Sequence, residues 1–254
     1  MARIFITGST DGLGRAAAAT LIDEGHQVLL HARSQARASA VSDLAGHAMG
    51  VIVGDLASRV ETRRIADRVN AIGRLDAVIH NAGAYLSGRN TTVDGHAGTL
   101  AVNVVAPYLL TALIERPSRL IYLSSSMHRG VRGDLDDIDW LQRRWNSERA
   151  YSESKLYLTA LTLAAARHWP DVLTHAVDPG WVPTRMGGAG APDDLALGHL
   201  TQTWLATSDD PAVMASGGYW HHRKRQEPAA EAADVQFQDD LMDALAELTG
   251  VALF

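Results

Sequence analysis

Arg3-Ile4-Phe5-Ile6-Thr7-Gly8-Ser9-Thr10-Asp11-Gly12-Leu13-Gly14 opens the chain, and its reading decides the fold. Arg3–Thr7 is short, apolar and partly β-branched, which predicts a strand. Three glycines follow, and then Arg15–Glu24, an alanine-rich stretch of good helix formers without a breaker. Gly25 suits a helix stop, and Gln27–His31 is the next apolar run. The opening therefore reads strand, glycine loop, helix, strand. Glycines in such a loop let the backbone turn tightly and approach a pyrophosphate, and the free N–H groups of the helix start favour the anion. Their spacing alone also fits a plain tight turn. The strand before and the helix after favour the nucleotide loop.

Outward from this unit the alternation continues. Helices are predicted over Ser34–Ala45, Ala57–Ala71, Gly98–Glu115 and Tyr151–His168, the third kinked by Pro107 or turning near it. Strands are predicted over Gly50–Val53, Leu75–Ile79, Arg119–Leu123 and Leu173–Val177. Beyond Val182 the pattern weakens: Pro192–Thr207 and Val235–Leu248 read as helices and Gly217–Trp220 as a short strand. Continuous apolar strands separated by helices indicate an α/β chain, a three-layer doubly wound parallel sheet of Rossmann-like type. One domain over residues 1–254 is expected, with residues 183–220 covering the substrate. Sites in such folds lie beyond the carboxyl ends of the strands. The strands that lead into Gly8, Asn81, Ser125 and Pro179 place polar or glycine residues there.

Composition narrows the function. The 254 residues are 46% hydrophobic and 20% charged, ordinary for a globular protein. The absence of cysteine removes disulfides, zinc ribbons, iron–sulfur clusters and thiol nucleophiles. A net charge of −6 gives no footprint for nucleic acid. No apolar run of membrane length and no leader pattern is present, so the expectation is a cytoplasmic protein that binds neither nucleic acid nor membrane. No metal is expected: the histidines lack ligand spacing, and Asp134–Asp139 lacks the glycine and glutamate of a calcium loop. His221-His222-Arg223-Lys224-Arg225 reads as a solvated turn, and Asp76 as a structural hydrogen-bonding residue.

Two further features carry chemistry. Where a dinucleotide fold that selects NAD has an acid after its second strand, this chain has Arg33, in His31-Ala32-Arg33-Ser34. A guanidinium matches a phosphate, so NADP(H) is expected over NAD(H), with Arg33 on the 2′-phosphate and Arg15 as helper. Tyr151-Ser152-Glu153-Ser154-Lys155 places a phenol and an ammonium four apart, on one face of a helix. The ammonium favours phenolate and lowers the pKa, so Tyr151 can exchange a proton with a carbonyl or alcohol oxygen. The chain's 23 basic residues include only two lysines, Lys155 and Lys224, which makes a lysine here more informative.

Thr7-Gly8-Ser9-Thr10-Asp11-Gly12-Leu13-Gly14, Asn81-Ala82-Gly83, Asn103, Ser124–Ser126, Tyr151…Lys155 and Pro179-Gly180 occur in one chain order and span nearly the whole chain. In this the chain resembles the short-chain dehydrogenase/reductase superfamily. Ser-Ser-Ser-Met-His, Tyr-Ser-Glu-Ser-Lys-Leu and Asp-Pro-Gly-Trp-Val-Pro-Thr are similar to its retinol dehydrogenase-like, NADP-using branch. The resemblance implies that Ser125 hydrogen-bonds the substrate oxygen, with Ser124 and Ser126 as rivals. It implies that Tyr151 is the acid/base, that Lys155 lowers its pKa and bonds the nicotinamide ribose, and that Asn103 holds a proton-relay water. For the cofactor it implies Gly8, Ser9, Asp11, Gly12, Leu13, Gly14, Arg15, Arg33, Asp55 with Leu56, Asn81, Ala82, Gly83, Pro179, Gly180, Val182 and Thr184. Asp55 matches the acid on the adenine amine and Thr184 the hydroxyl near the carboxamide. Two departures stand out. His80 replaces a second Asn, and the helix after Asn103 is short, which leaves open whether a homo-oligomer forms through it.

The implied function is oxidoreduction between a carbonyl and an alcohol by hydride transfer. Trp140, Trp145, Trp181, Met186, Trp204, Tyr219 and Trp220 fall in segments able to cover the nicotinamide, which suggests a bulky apolar small-molecule substrate. An epimerase or dehydratase on the same fold, or an NADP-binding regulator without turnover, is the alternative. Gly187-Gly188-Ala189-Gly190 fits either a lid hinge or a plain flexible loop.

Overall fold

The computed structural model describes residues 1–254. Seven strands form a parallel sheet: β1 (Arg3–Ile6), β2 (Gln27–Ala32), β3 (Gly50–Val53), β4 (Ala77–His80), β5 (Arg119–Leu123), β6 (Leu173–Asp178) and β7 (Gly218–His221). An antiparallel β8 (Lys224–Gln226) closes one edge. The order is β3-β2-β1-β4-β5-β6-β7-β8, so direction reverses between β1 and β4, the crevice where doubly wound sheets bind ligands. Ile4 pairs with both Val28 and Ala77, which sets the register around that crevice.

Strand residues alternate between two cores, as the pleat requires. Phe5 and Leu29 point to one face, where α2 (Arg59–Ile72), α3 (Ala106–Leu113), α4 (Ser147–His168) and α6 (Val235–Thr249) pack. Ile4, Ile6, Val28 and Leu30 point to the other, against α1 (Gly12–Asp23) and α5 (Leu200–Thr207). Asp11 caps α1, Ser58 caps α2, Asn146 caps α4 and Asp234 caps α6, each side chain accepting a first-turn N–H.

Three expectations are corrected. Ser34–Ala45 is two short turns, Gln35–Ser39 and Ser42–Ala45, because Ala40 and Val41 break the ladder between them. Gly98–Glu115 is helical only to Leu113, and Ala101–Val105 forms a widened π turn. Pro107 has no N–H for the carbonyl of Asn103 four residues back, and the wide turn absorbs that loss. Pro192–Thr207 starts at Leu195 and divides at His199. The basic cluster is the expected turn, and it lies within a hairpin: His222 and Arg223 take φ of 48° and 60° and join β7 to β8.

Candidate active site

The glycine loop is held from below by a histidine. The N–H of Gly8 donates to Nδ1 of His31 at 2.9 Å, and Nε2 of the same ring donates to the carbonyl of Gly54 at 2.9 Å. The ring is a neutral bridge between the ends of β1 and β3, and burial holds its pKa below the ordinary value. Ser9 is fully buried, and its hydroxyl accepts the N–H of His31 at 2.8 Å. Its side chain thus faces β2 rather than the crevice. Gly8 and Gly12 adopt φ of 65° and 49°, conformations that favour glycine. A Cβ on Gly14 would collide with the carbonyl oxygen of Gly8 and the amide of Asn81. Asn81 donates to the carbonyls of Thr7 and Gly8 at 3.0 and 3.3 Å, and Ala82 donates to the Thr7 hydroxyl at 3.0 Å.

Around this cradle, Thr184 reaches over the loop: its methyl lies 3.2 Å from where a Gly12 Cβ would be. Leu13 and Val182 pack on Gly198, and Gly180 turns the chain at φ of 84°. Asp55 folds its carboxylate onto the N–H of Ala57 at 2.9 Å, and Leu56 is buried beside it. Arg15 pairs with Asp43 and Arg37 with Asp11, so both guanidinium groups are engaged. Arg33 is exposed at the end of β2 and makes no ion pair. The backbone turn and the uncommitted cation fit a dinucleotide carrying an extra phosphate.

Beyond β4, β5 and β6 lie the candidate catalytic residues. Asn103 is fully buried in the π turn. Its Oδ1 accepts from Ala84 N at 2.7 Å, and its Nδ2 donates to Ala84 O at 3.0 Å and to the Ser154 hydroxyl at 2.9 Å. Asn103 therefore fastens the loop after β4 to α4. The three serines separate clearly. Ser124 is buried and bonded to Thr159 at 2.7 Å, and Ser126 is exposed. Ser125 caps the 3₁₀ turn Ser126–Gly130, and its hydroxyl faces the phenol of Tyr151. Lys155 is buried, donates to Leu123 O at 2.7 Å and stands 5.4 Å from the Tyr151 ring centre. Gly83 lies at the meeting point: a Cβ there would be 3.6 Å from Asn103 Oδ1, 3.6 Å from Lys155 Nζ and 3.7 Å from Met186 Cε.

The electrostatics differ from expectation. Burial pushes the Tyr151 phenol above its ordinary pKa, and the carboxylate of Asp178 adds to the rise. Lys155 was expected to lower that pKa, but its ammonium is turned to the Leu123 carbonyl, and desolvation outweighs it. Burial also brings Lys155 itself down to about 8, against the pull of Asp178. The site as folded keeps its proton on the phenol.

The aromatic expectation needs a larger correction. Trp140 packs with Trp145 under the guanidinium of Arg143, and Trp204 packs edge-on against Trp220 beside α1. Tyr219 is buried against His128. The cavity between Trp140 and Trp145 holds only about 10 Å³, too little for a ring. Only Trp181 (60% exposed) and Met186 (47%) remain open. Tyr85, unmarked by any sequence pattern, is 42% exposed with its ring 4.9 Å from that of Tyr151. A separate cleft of about 690 Å³ is lined by Ser126, Met127, Arg132, Glu148, Arg149 and Ser152, and neither Ser125 nor Tyr151 is part of its wall. Trp140, Trp145, Trp204, Tyr219 and Trp220 thus pack into the body of the protein, and Trp181 and Met186 are the two of the seven left exposed.

Comparison with known proteins places this geometry. The family described as enoyl-(acyl carrier protein) reductase matches residues 8–208. A short-chain dehydrogenase of Gibberella zeae, chry4, is 41% identical over 256 residues, covering 100% of this chain and 99% of that one. The chain is a short-chain dehydrogenase/reductase. Human retinol dehydrogenase 13 is 29% identical over 98% of this chain and 84% of its own, in keeping with the branch the motifs resemble. Among solved structures, an uncharacterised protein of Mycobacterium Paratuberculosis superposes with a TM-score of 0.85 at 26% identity, over 100% of this chain and 95% of that one. The short-chain dehydrogenase/reductase described here is accordingly an oxidoreductase with a Rossmann-like sheet, and no helix of it is long and apolar enough to cross a membrane.

Proposed function

We propose that this enzyme is an NADP(H)-dependent carbonyl reductase, working with Ser125, Tyr151, Lys155 and Asn103 at the edge of β4, β5 and β6. The observation that carries the reading is the facing pair of Ser125 and Tyr151 hydroxyls, with the phenol held protonated by burial. A nicotinamide bound in the glycine cradle would supply the hydride. Ser125 donates a hydrogen bond to the carbonyl oxygen, where negative charge develops. Tyr151 gives that oxygen its proton as general acid. Lys155 holds a positive charge behind the phenol, and Asn103 keeps the β4 loop at its distance from α4. A substrate would lay an apolar flank against Tyr85 and Met186.

NADP(H) preference is carried by Arg33, because Arg15 and Arg37 are already paired. Removing a hydrogen bond to a charged group weakens binding by about 1.5–3 kcal/mol. Arg33→Ala should therefore raise the NADPH dissociation constant roughly 10- to 150-fold and leave that of NADH nearly unchanged in fluorescence titrations. The activity itself is tested by following NADPH oxidation with aliphatic, aromatic and acidic ketones and aldehydes. Tyr151→Phe should lose about 10²–10⁴-fold in kcat with intact NADPH binding. A Phe variant that keeps its turnover would refute the mechanism. Epimerase or dehydratase chemistry would instead proceed without net NADPH consumption.

A further inference from the structure

His128 follows the catalytic serine by three residues, is fully buried, and has both ring nitrogens engaged. Nδ1 lies 2.7 Å from the carbonyl oxygen of Ser125, and Nε2 lies 2.9 Å from the backbone nitrogen of Ala229. A carbonyl only accepts and an amide N–H only donates. The ring must then carry its hydrogen on Nδ1 and none on Nε2, a neutral imidazole in one tautomer. Its ring packs against Tyr219 at a tilt of 43°, with 4.8 Å between ring centres.

The neighbours of His128 grip the same distant segment. Arg129 donates to Glu227 O at 2.7 Å and to Gln226 Oε1 at 3.2 Å, and Gly133 N donates to Glu231 Oε2 at 3.3 Å. The turn after β5 is thus pinned to residues 226–231 at three places. Ser125 in turn takes its side-chain position from that turn: its backbone is extended, and its Oγ accepts the N–H of Met127 at 3.3 Å. With that lone pair occupied, the hydroxyl proton of Ser125 is left to point toward Tyr151, the side on which a carbonyl oxygen would be held.

We propose that His128 is a positioning residue for Ser125, transmitting the anchorage of residues 226–229 to the hydroxyl that binds the carbonyl oxygen. The proposal rests on the carbonyl reductase reading above. Misplacing a catalytic group by about 1 Å can lower the rate on the order of 100-fold, far beyond what one hydrogen bond contributes to folding. His128→Phe keeps an aromatic ring against Tyr219 but removes donor and acceptor together. It should lower kcat for carbonyl reduction about 100-fold and leave the NADPH dissociation constant unchanged. His128→Asn restores a donor near the position of Nδ1 and should recover most of that loss.

The deciding measurement is a double-mutant cycle with Ser125→Ala. Once the hydroxyl is gone, His128→Phe should have almost no further effect on kcat. Effects that multiply, or a His128→Phe variant as fast as wild type while Ser125→Ala is slow, would overturn the proposal alone. A wild-type enzyme that oxidises NADPH with no carbonyl would overturn the reductase reading and this proposal with it. Should the Phe variant fail to fold, by its circular dichroism melt, the cycle of His128→Asn with Ser125→Ala applies the same criterion to the smaller loss.

Discussion

Lys155 shows how strongly one burial sets the behaviour of a site. Its pKa of about 8 means that the free enzyme loses the ammonium as pH rises through that value. kcat/KM for NADPH reports the free enzyme, so it should fall along a single-proton limb near pH 8. Tyr151, shifted upward, stays protonated over the same range. Stability should move the other way. Between about pH 8 and 10 the unfolded chain keeps the lysine proton that the folded chain has released, so stability rises with pH. Comparing wild type with Lys155→Met in thermal melts at pH 7.5 and 9.5 isolates this increment; an equal pH response in both would contradict it. The Tyr–Lys spacing was legible from the chain alone. The direction of the phenol's shift was not, because it depends on desolvation and on Asp178, which reaches the site from another strand. Tyr85 was equally hidden, since a lone exposed tyrosine after a glycine loop has no periodic signature.

At the scale of elements, the glycine loop and its flanking strand and helix followed from local sequence, and so did six further strands. Each is a short apolar run bounded by turn residues, which local pattern reports well. The helix after Asn103 was read less well. Its widened turn depends on how a missing N–H at Pro107 is absorbed by the packing around it. β8 escaped notice because Lys224-Arg225-Gln226 is polar and becomes a strand only by pairing with β7. α1 sits tightly on the loop it follows. Gly14→Ala would drive a methyl into the Gly8 carbonyl and the Asn81 amide. Overpacking of this kind costs about 1–3 kcal/mol, and the displaced loop should also lose NADPH affinity. Thermal melting together with NADPH titration checks both; a variant with wild-type affinity would show that the loop can yield.

Over the whole molecule, the C-terminal third closes what the sheet leaves open. α6 lies along α4 and contributes Leu241, Met242 and Leu245 to the larger core. Its end is fastened by Arg59 on Leu248 O at 2.8 Å, Arg63 on Thr249 O at 3.1 Å and the Tyr108 hydroxyl on Val251 O at 2.7 Å. Tyr108→Phe removes one such tie, which should lower stability by about 1 kcal/mol, a fall of roughly 2–4 °C in melting temperature for a chain of this size. Because α6 already covers α4, the protein should elute as a 27.3 kDa monomer in light scattering at micromolar concentration. A stable dimer would mean that another face associates.

The last strand has a meaning for solubility. A parallel sheet can recruit a further strand at either margin, and an unguarded margin is where chains stack into aggregates. β8 ends one margin with only three residues, of which Lys224 and Arg225 are cationic and exposed. A second molecule approaching that side would bring its own two cations against them. The opposite margin, β3, is Gly-Val-Ile-Val and bears no charge. When this protein misassembles on heating or at high concentration, the joining edge should be β3, and a lysine placed at Val51 or Val53 is the substitution that would slow it.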